Sequence, residues 1–236
     1  MHVSAIEAHR RWAPTYDANP NPLLSLEHRL LAGVAPKTLL DIACGTGRWM
    51  LHFAERGATV IGVDACKEML AKALEKPPLH GRVTLADAAA LPFPAACADL
   101  TLCSFAAGYF PDLPAAVQEM ARVTRPGGQV IISDLHPSAL AAGWTRSFRD
   151  GDTVYTIASH HRSEDEALAT ASGAGLCLDR IVSGSFGEPE RAIFRAAGKE
   201  HLFEQTSQVP AVWIGIWNRP CGSQTSMPKV SPSFSA

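Results

Sequence analysis

The sequence predicts an α/β domain built around a mostly parallel sheet. Three observations predict it. Short apolar strands alternate with helical patterns, the rhythm of βαβ units. The segment Leu39 to Gly47 (LLDIACGTG) runs from an apolar strand directly into a glycine turn and a helix. A hydrophobic fraction of 47% in 236 residues is ample for one core, so a single domain over residues 1–218 is a simpler reading than two small ones.

The elements follow in order. Two helical stretches, about Ser4 to Trp12 and Pro22 to Val34, precede the first strand at Thr38 to Ile42. Gly47 to Arg56 reads as a helix, Thr59 to Val63 as a second strand, and Lys67 to Glu75 as a helix ended by Pro77 and Pro78, which cannot continue it. Arg82 to Leu85, Ala98 to Cys103 and Gln129 to Ser133 are the third, fourth and fifth strands. Between the last two, Asp112 caps a helix that runs to about Val123, and Pro126, Gly127 and Gly128 form the turn out of it. Pro137 to Arg162 is a long connection. Ser163 and Glu166 stand in capping-box spacing at the head of a helix to Ser172, and Leu176 to Ser185 is a strand. In Pro210 to Asn218, Val212, Ile214 and Ile216 alternate with Trp213 and Trp217, a strand buried on both faces. Residues 219–236, rich in Ser and Pro, read as a disordered tail.

Composition excludes several classes. Twenty-one Lys and Arg against 23 Asp and Glu give a net charge of −2, without the excess positive charge that nucleic-acid binding needs. No apolar run approaches the roughly 18 residues that span a bilayer. Met1 to Arg11 lacks the apolar stretch of a secretory signal, so a cytoplasmic location is expected. The six cysteines, Cys44, Cys66, Cys97, Cys103, Cys177 and Cys221, show neither a CxxC pair nor zinc-site spacing and read as reduced packing thiols.

The glycine turn carries the most chemistry. Gly45 and Gly47 lack Cβ atoms, so the chain turns sharply and a flat or charged group can approach its amides. Asp64 ends the next strand (VIGVD), where its two oxygens are available to the two hydroxyls of a ribose. An adenosine-containing ligand is implied. The dinucleotide pattern G-x-G-x-x-G fails, because Gly45-Thr46-Gly47-Arg48-Trp49-Met50 has no third glycine. Asp41, just before the turn, would repel phosphates and attract an amino group or a sulfonium.

Asp41-Ile42-Ala43-Cys44-Gly45-Thr46-Gly47, Gly62-Val63-Asp64 with Met69-Leu70, Ala86-Asp87-Ala88 with Leu91-Pro92-Phe93, and Arg122 to Gly128 (RVTRPGG) occur in that order. Together they resemble the class I S-adenosylmethionine-dependent methyltransferases, specifically the type 11 group of small-molecule enzymes, over about Leu39 to Asp134. The resemblance implies a Rossmann-like, seven-stranded, mostly parallel sheet with helices on both faces. It also implies an N-terminal helical lid over residues 1–36 and a substrate-side insertion over residues 137–162. S-adenosylmethionine is the implied cofactor, S-adenosylhomocysteine its product, and a small molecule the acceptor.

Carried over residue by residue, the resemblance sets the methionine part of the cofactor against Ala43, Gly45 and Gly47, with Asp41 near its amino group. Asp64 holds the ribose. Ala65 and Met69 pack on the adenine, Asp87 accepts from its exocyclic amine and the Ala88 amide donates to a ring nitrogen. Cys103, Ser104 and Phe105 line the floor beside the sulfonium, Tyr16 resembles the aromatic of the lid, and Arg11 reaches for the cofactor carboxylate. Ala43 stands where many members have glycine, which bears on how closely the methionine moiety approaches.

Among nine histidines, His136 follows the fifth strand at the carboxyl edge where α/β sites assemble and is the candidate general base. His160 and His161, adjacent in an extended segment, point opposite ways, and no metal is expected. The [DN]PP[YF] motif of nucleic-acid amino methyltransferases is absent after the fourth strand (CSFAAGYF), and Cys103 lacks the preceding proline of pyrimidine C5 enzymes. Two alternatives stay open: a non-catalytic sensor of S-adenosylmethionine and an NAD(P) oxidoreductase, the latter disfavoured by the missing glycine. The acceptor's identity and the oligomeric state are not specified by the sequence.

Overall fold

The computed structural model describes residues 1–18, 20–160 and 162–221. The chain opens with β1 (His2–Val3), α1 (Ala5–Trp12) and α2 (Pro22–Leu30). There follow β2 (Thr38–Ile42), α3 (Arg48–Ala54), β3 (Thr59–Asp64), α4 (Lys67–Leu74), β4 (Val83–Leu85), β5 (Ala98–Ser104), α5 (Leu113–Val123) and β6 (Thr124–Leu135). The second half adds α6 (Pro137–Ala141), β7 (Ser147–Asp150), β8 (Thr153–Ile157), α7 (Glu164–Gly173), β9 (Cys177–Gly184), α8 (Glu188–Ala196), α9 (Phe203–Ser207) and β10 (Val212–Asn218). The helices begin where the sequence supplies caps: the side chains of Ser4, Asn21, Asp112 and Ser163 accept from the amides of Glu7, Leu23, Ala115 and Glu166.

Seven strands form the main sheet in the order β4-β3-β2-β5-β6-β10-β9, parallel except for β10, which runs antiparallel to both neighbours. The chain winds from β2 outward to β4, then returns beside β2 with β5. That reversal leaves a crevice past the carboxyl ends of β2 and β5, the place where open α/β sheets bind ligands.

The core lies on both faces of this sheet, as the period of two requires. Leu40, Ile42, Ile132, Trp213 and Trp217 pack with Val117 and Met120 of α5 on one face. Leu39, Leu102, Ile131, Ile214 and Ile216 pack with Leu26 of α2 and Trp49 and Phe53 of α3 on the other. Gly215 is required by this alternation, since a Cβ there would lie 2.1 Å from the Trp217 ring.

Three features differ from expectation. Pro126-Gly127-Gly128 lies inside β6 as an irregularity, with Ala98 facing Thr124 and Leu100 facing Gln129. Arg219, expected in the tail, pairs back instead: its amide donates to the Gly128 carbonyl at 2.9 Å and its Nη1 to the Arg122 carbonyl at 2.9 Å. Residues 222–236 of that tail, and His161, lie outside the described residues. Finally, the lid and the insertion are not separate. β1 pairs parallel with β8, and β8 pairs antiparallel with β7, so a three-stranded sheet joins residues 2–3 to 147–157. No described helix is long and apolar enough to cross a membrane.

Candidate active site

The carboxyl ends of β2, β3 and β5 open into one cavity of about 550 Å3, roofed by residues 4–16 and 21–24 and walled by residues 144–147 and Ile157. That volume falls within the roughly 300–1,000 Å3 of small-molecule sites.

β2 brings the glycine turn to the cavity. Asp41 is 2% exposed in its last turn of strand, and among the described residues no hydrogen-bond donor reaches its carboxylate. Burial pushes its pKa up to about 8; Arg48 opposes that rise, while Glu27 and Asp64 add to it. Ala43 and Gly45 follow with φ of 55° each, left-handed backbone that glycine tolerates and alanine holds only with strain. A Cβ on Gly45 would meet nothing within 4 Å, so it would project into open space at this lining position.

Asp64 closes the turn from β3. Its Oδ2 accepts from the Gly45 amide at 2.8 Å and its Oδ1 from the Cys66 amide at 2.7 Å. Burial raises its pKa, and those amides oppose the rise. A carboxylate offers about four lone-pair sites, so each oxygen keeps one acceptor position for a ligand. Ala65, Met69, Asp87 and Ala88 line the same end, with Asp87 Oδ1 held by the Ala89 amide at 2.9 Å.

Tyr16 lies over this end, its ring 4.8 Å from that of Trp12, and burial pushes its hydroxyl up to about 12. The 3-10 turn that carries it is latched to the glycine turn. Thr46 Oγ1 donates to Asp17 Oδ1 at 2.7 Å, and Lys76 Nζ sits 2.7 Å from Asp17 Oδ2 while also donating to the Thr46 carbonyl.

Four sequence-derived site residues do not line the cavity. Gly47 caps α3 with φ of 79°, and a Cβ there would lie 2.5 Å from Leu79 Cδ1; its role is in packing. Cys103 faces the opposite side of β5 from Ser104 and is wholly buried in the core, so Ser104 and Phe105 alone reach the cavity from that trio. Arg11 falls on the outer side of α1, where its Nε donates to Glu7 Oε1 at 2.6 Å and its guanidinium sits 5.5 Å from the Tyr155 ring centroid. His136 is the N-cap of α6: its Nδ1 accepts from the Ser138 amide at 3.1 Å, and burial lowers its pKa. A ring committed to a helix start outside the cavity is not placed to act as the base.

Other residues carry the site instead. Glu27 of α2 is fully buried and accepts from Trp49 Nε1 at 3.1 Å, from Ser104 Oγ at 2.8 Å, and from Ser133 Oγ and Arg48 Nη2. It fastens the roof to β5 and β6. The signal in the sequence was a charged residue on the apolar stripe Leu23, Leu26, Leu30. Arg146 enters from the insertion, bonding Asp134 and stacking 4.7 Å over the Tyr109 ring. Along α1 and the turn after it, Ala5, His9, Trp12 and Tyr16 line the cavity at i, i+4, i+7 and i+11, one face of a helical winding that excludes Arg11.

Comparisons with known proteins add context to this geometry. Residues 40–132 match the family described as "Methyltransferase domain". Over 190 residues the chain is 30% identical to a demethylmenaquinone methyltransferase of Deinococcus radiodurans, covering 77% of this chain and 76% of that protein. It is 35% identical over 136 residues to a malonyl-[acyl-carrier protein] O-methyltransferase of Serratia marcescens, 56% of this chain and 53% of that protein. The chain spans about half the length of most curated relatives it matches. The crystal structure of an S-adenosylmethionine-dependent methyltransferase from Mesorhizobium loti shares the fold, with a TM-score of 0.64, 20% identity, and coverage of 84% of this chain and 100% of that one.

Proposed function

The chain belongs to the class I S-adenosylmethionine-dependent methyltransferases, and from that premise we propose that it transfers a methyl group from S-adenosylmethionine to a small-molecule acceptor, leaving S-adenosylhomocysteine. The observation that carries the reading is one cavity in which two carboxyl groups, the buried Asp41 and the half-buried Asp64, flank a turn with no side-chain bulk at Gly45. A cationic nucleoside fits these residues. A pyrophosphate does not, because among the described residues both arginines of the cavity wall are already paired and nothing there would offset its charge, while any ionisation of Asp41 or Asp64 would oppose it at low dielectric.

In this reading Asp41 pairs with the amino group, Ala43 and Gly45 meet the methionine chain, and Asp64 uses its two remaining acceptor positions on the ribose. Ala65 and Met69 pack on the adenine, with Asp87 and the Ala88 amide at its polar edge. Tyr16 covers the nucleoside, and the Asp17 latch keeps it there. Bound S-adenosylmethionine supplies a methyl group that is already activated. The protein's own residues therefore have to orient the acceptor and exclude water, effects worth up to roughly 7–11 kcal/mol in well-aligned systems. The apolar roof and wall, among them Leu23, Leu24, Phe105 and Trp144, perform that exclusion and suit a small organic acceptor. With a net charge of −2, nucleic acid is a poor fit for the same cavity.

Titration calorimetry with S-adenosylmethionine tests the cofactor, and a radiolabelled methyl-transfer assay over small organic acceptors tests the reaction. Asp64→Ala is expected to weaken cofactor binding by about 1.5–3 kcal/mol, the scale of charged hydrogen bonds. Undiminished affinity in that variant rejects the reading of the nucleoside site, and binding without any transfer would favour a sensor.

A further inference from the structure

The cofactor-binding reading leaves one titratable group of the cavity wall without a task. His9 of α1 lines the cavity with its ring 5.2 Å from that of Tyr109, edge to face, 6.3 Å from Trp12 and 6.4 Å from Tyr16. Its Nδ1 lies 2.8 Å from the Ala5 carbonyl oxygen. A carbonyl only accepts, so Nδ1 carries the proton, and in the neutral ring Nε2 holds the lone pair. Among the described residues no hydrogen bond engages Nε2. Burial holds the imidazole below its ordinary value, which keeps the ring neutral near pH 7.

The charged groups facing His9 come from three elements. Asp64 of β3 favours its protonation and Arg146 of the insertion opposes it, while Tyr16 and Tyr109 are held uncharged by burial. On its own helix, Glu7 is occupied by Arg10 and Arg11. Both cations of the cavity wall are also committed: Arg48 to Glu27 and Arg146 to Asp134. Among the described residues the acceptor side therefore offers aromatic faces and one free imidazole nitrogen, and no unpaired cation for an anionic acceptor.

We propose that His9 is the general base, and that the acceptor is a flat, largely apolar molecule bearing an ionisable hydroxyl, a phenol or an enol, seated against Trp12, Phe105 and Tyr109. This rests on the methyl-transfer reading above. His9 Nε2 takes the hydroxyl proton as the acceptor oxygen forms its bond to the methyl carbon. The carbon–sulfur bond breaks with its electron pair going to sulfur, and the proton leaves the imidazolium to solvent. General bases contribute about 10²- to 10⁴-fold to such steps.

The first test needs no turnover. 4-Nitrophenol, whose ionised form absorbs in the visible, is titrated into wild type and His9→Gln across pH, with melting curves recorded to confirm that the variant folds. His9→Asn serves as the second variant if His9→Gln does not. The expected result is that protein-bound probe ionises at least about tenfold more favourably in wild type, the scale of one pKa unit. Equal ionisation in the folded variant, or no binding of the probe, overturns the proposal. A second readout is methyl transfer to phenols of increasing pKa. The loss in His9→Gln is expected to reach about 10²-fold or more and to grow with phenol pKa; a loss independent of phenol pKa overturns the assignment. Calorimetry with S-adenosylmethionine on the same samples separates the two failures: wild type that binds no cofactor sinks the methyl-transfer reading, whereas cofactor binding with equal probe ionisation sinks only the role of His9.

Discussion

Asp41 is the residue at which protonation and ligand affinity should be linked, and the linkage has a size. With its pKa raised from 3.8 to about 8 by burial, the carboxyl is about nine-tenths protonated at pH 7 in the free protein. If the ammonium end of S-adenosylmethionine pairs with the carboxylate, binding expels that proton. Ionising Asp41 then costs about 1.4 kcal/mol at pH 7 and about 2.7 kcal/mol at pH 6. Affinity is expected to rise about tenfold per pH unit from 6 toward 8 and to level off above, with about 0.9 protons released per ligand at pH 7. Calorimetry in buffers of different ionisation enthalpy counts those protons, and Asp41→Asn subtracts the titration of the ligand's own amino group. Equal slopes and equal proton counts in wild type and Asp41→Asn would refute the pairing. The stability of the free protein carries the opposite sign. A carboxyl whose folded pKa is raised favours folding fully below 3.8 and loses that contribution as pH rises through about 8, so Asp41→Asn is expected to gain stability over wild type on the alkaline side.

Two further predictions concern the frame of the site. Glu27→Ala strands Arg48 beside a buried hole; because the Arg48 side chain is 31% exposed, the loss is expected near the low end of the usual range, about 3 kcal/mol by urea denaturation, and a loss under about 1 kcal/mol would reject the fastening role. Gly45→Ala and Gly47→Ala both force alanine into left-handed backbone at about 1–2 kcal/mol, but only the first puts a methyl into the cavity; melting curves are expected to fall in both and cofactor affinity chiefly in Gly45→Ala, and matching affinities would contradict that geometry.

Much of the central sheet was legible because its signals are local. The apolar run Thr38–Ile42 ends at a glycine turn, Asp64 ends the neighbouring strand, and the alternation from Val212 to Trp217 sorts side chains to two faces without reference to anything distant. The errors arise where a partner far along the chain decides. β1 is two residues long and exists because Thr156 and Ile157 pair with it, which no local pattern announces. Glu190 of α8 is fully buried because Arg29 and Ser25 meet it from α2, a pairing that no local pattern in α8 announces. The hairpin β7–β8 did carry a signal in its two-residue loop Gly151-Asp152, hidden within what reads as a long connection. Cys103 and Arg11 are carried over from the family resemblance, which does not say which way a side chain faces, and one step along a strand or a helix turns it away. His136 had the right location in the topology, but its ring caps α6. His9 was invisible for a related reason: a histidine on a helix face gains meaning only when the opposite wall is known.

The small sheet that joins residues 2–3 to 147–157 is held by peptide groups, with the Thr156 amide donating to the Met1 carbonyl and the Ala158 amide to the Val3 carbonyl. Such bonds are indifferent to the side chains they carry. Ile6 and Ser147, which line the cavity and are exposed, can thus be exchanged while the seam itself persists. Evolution, or a protein engineer, is free to reshape that side of the cavity by substituting there, at little risk to the join between the two segments.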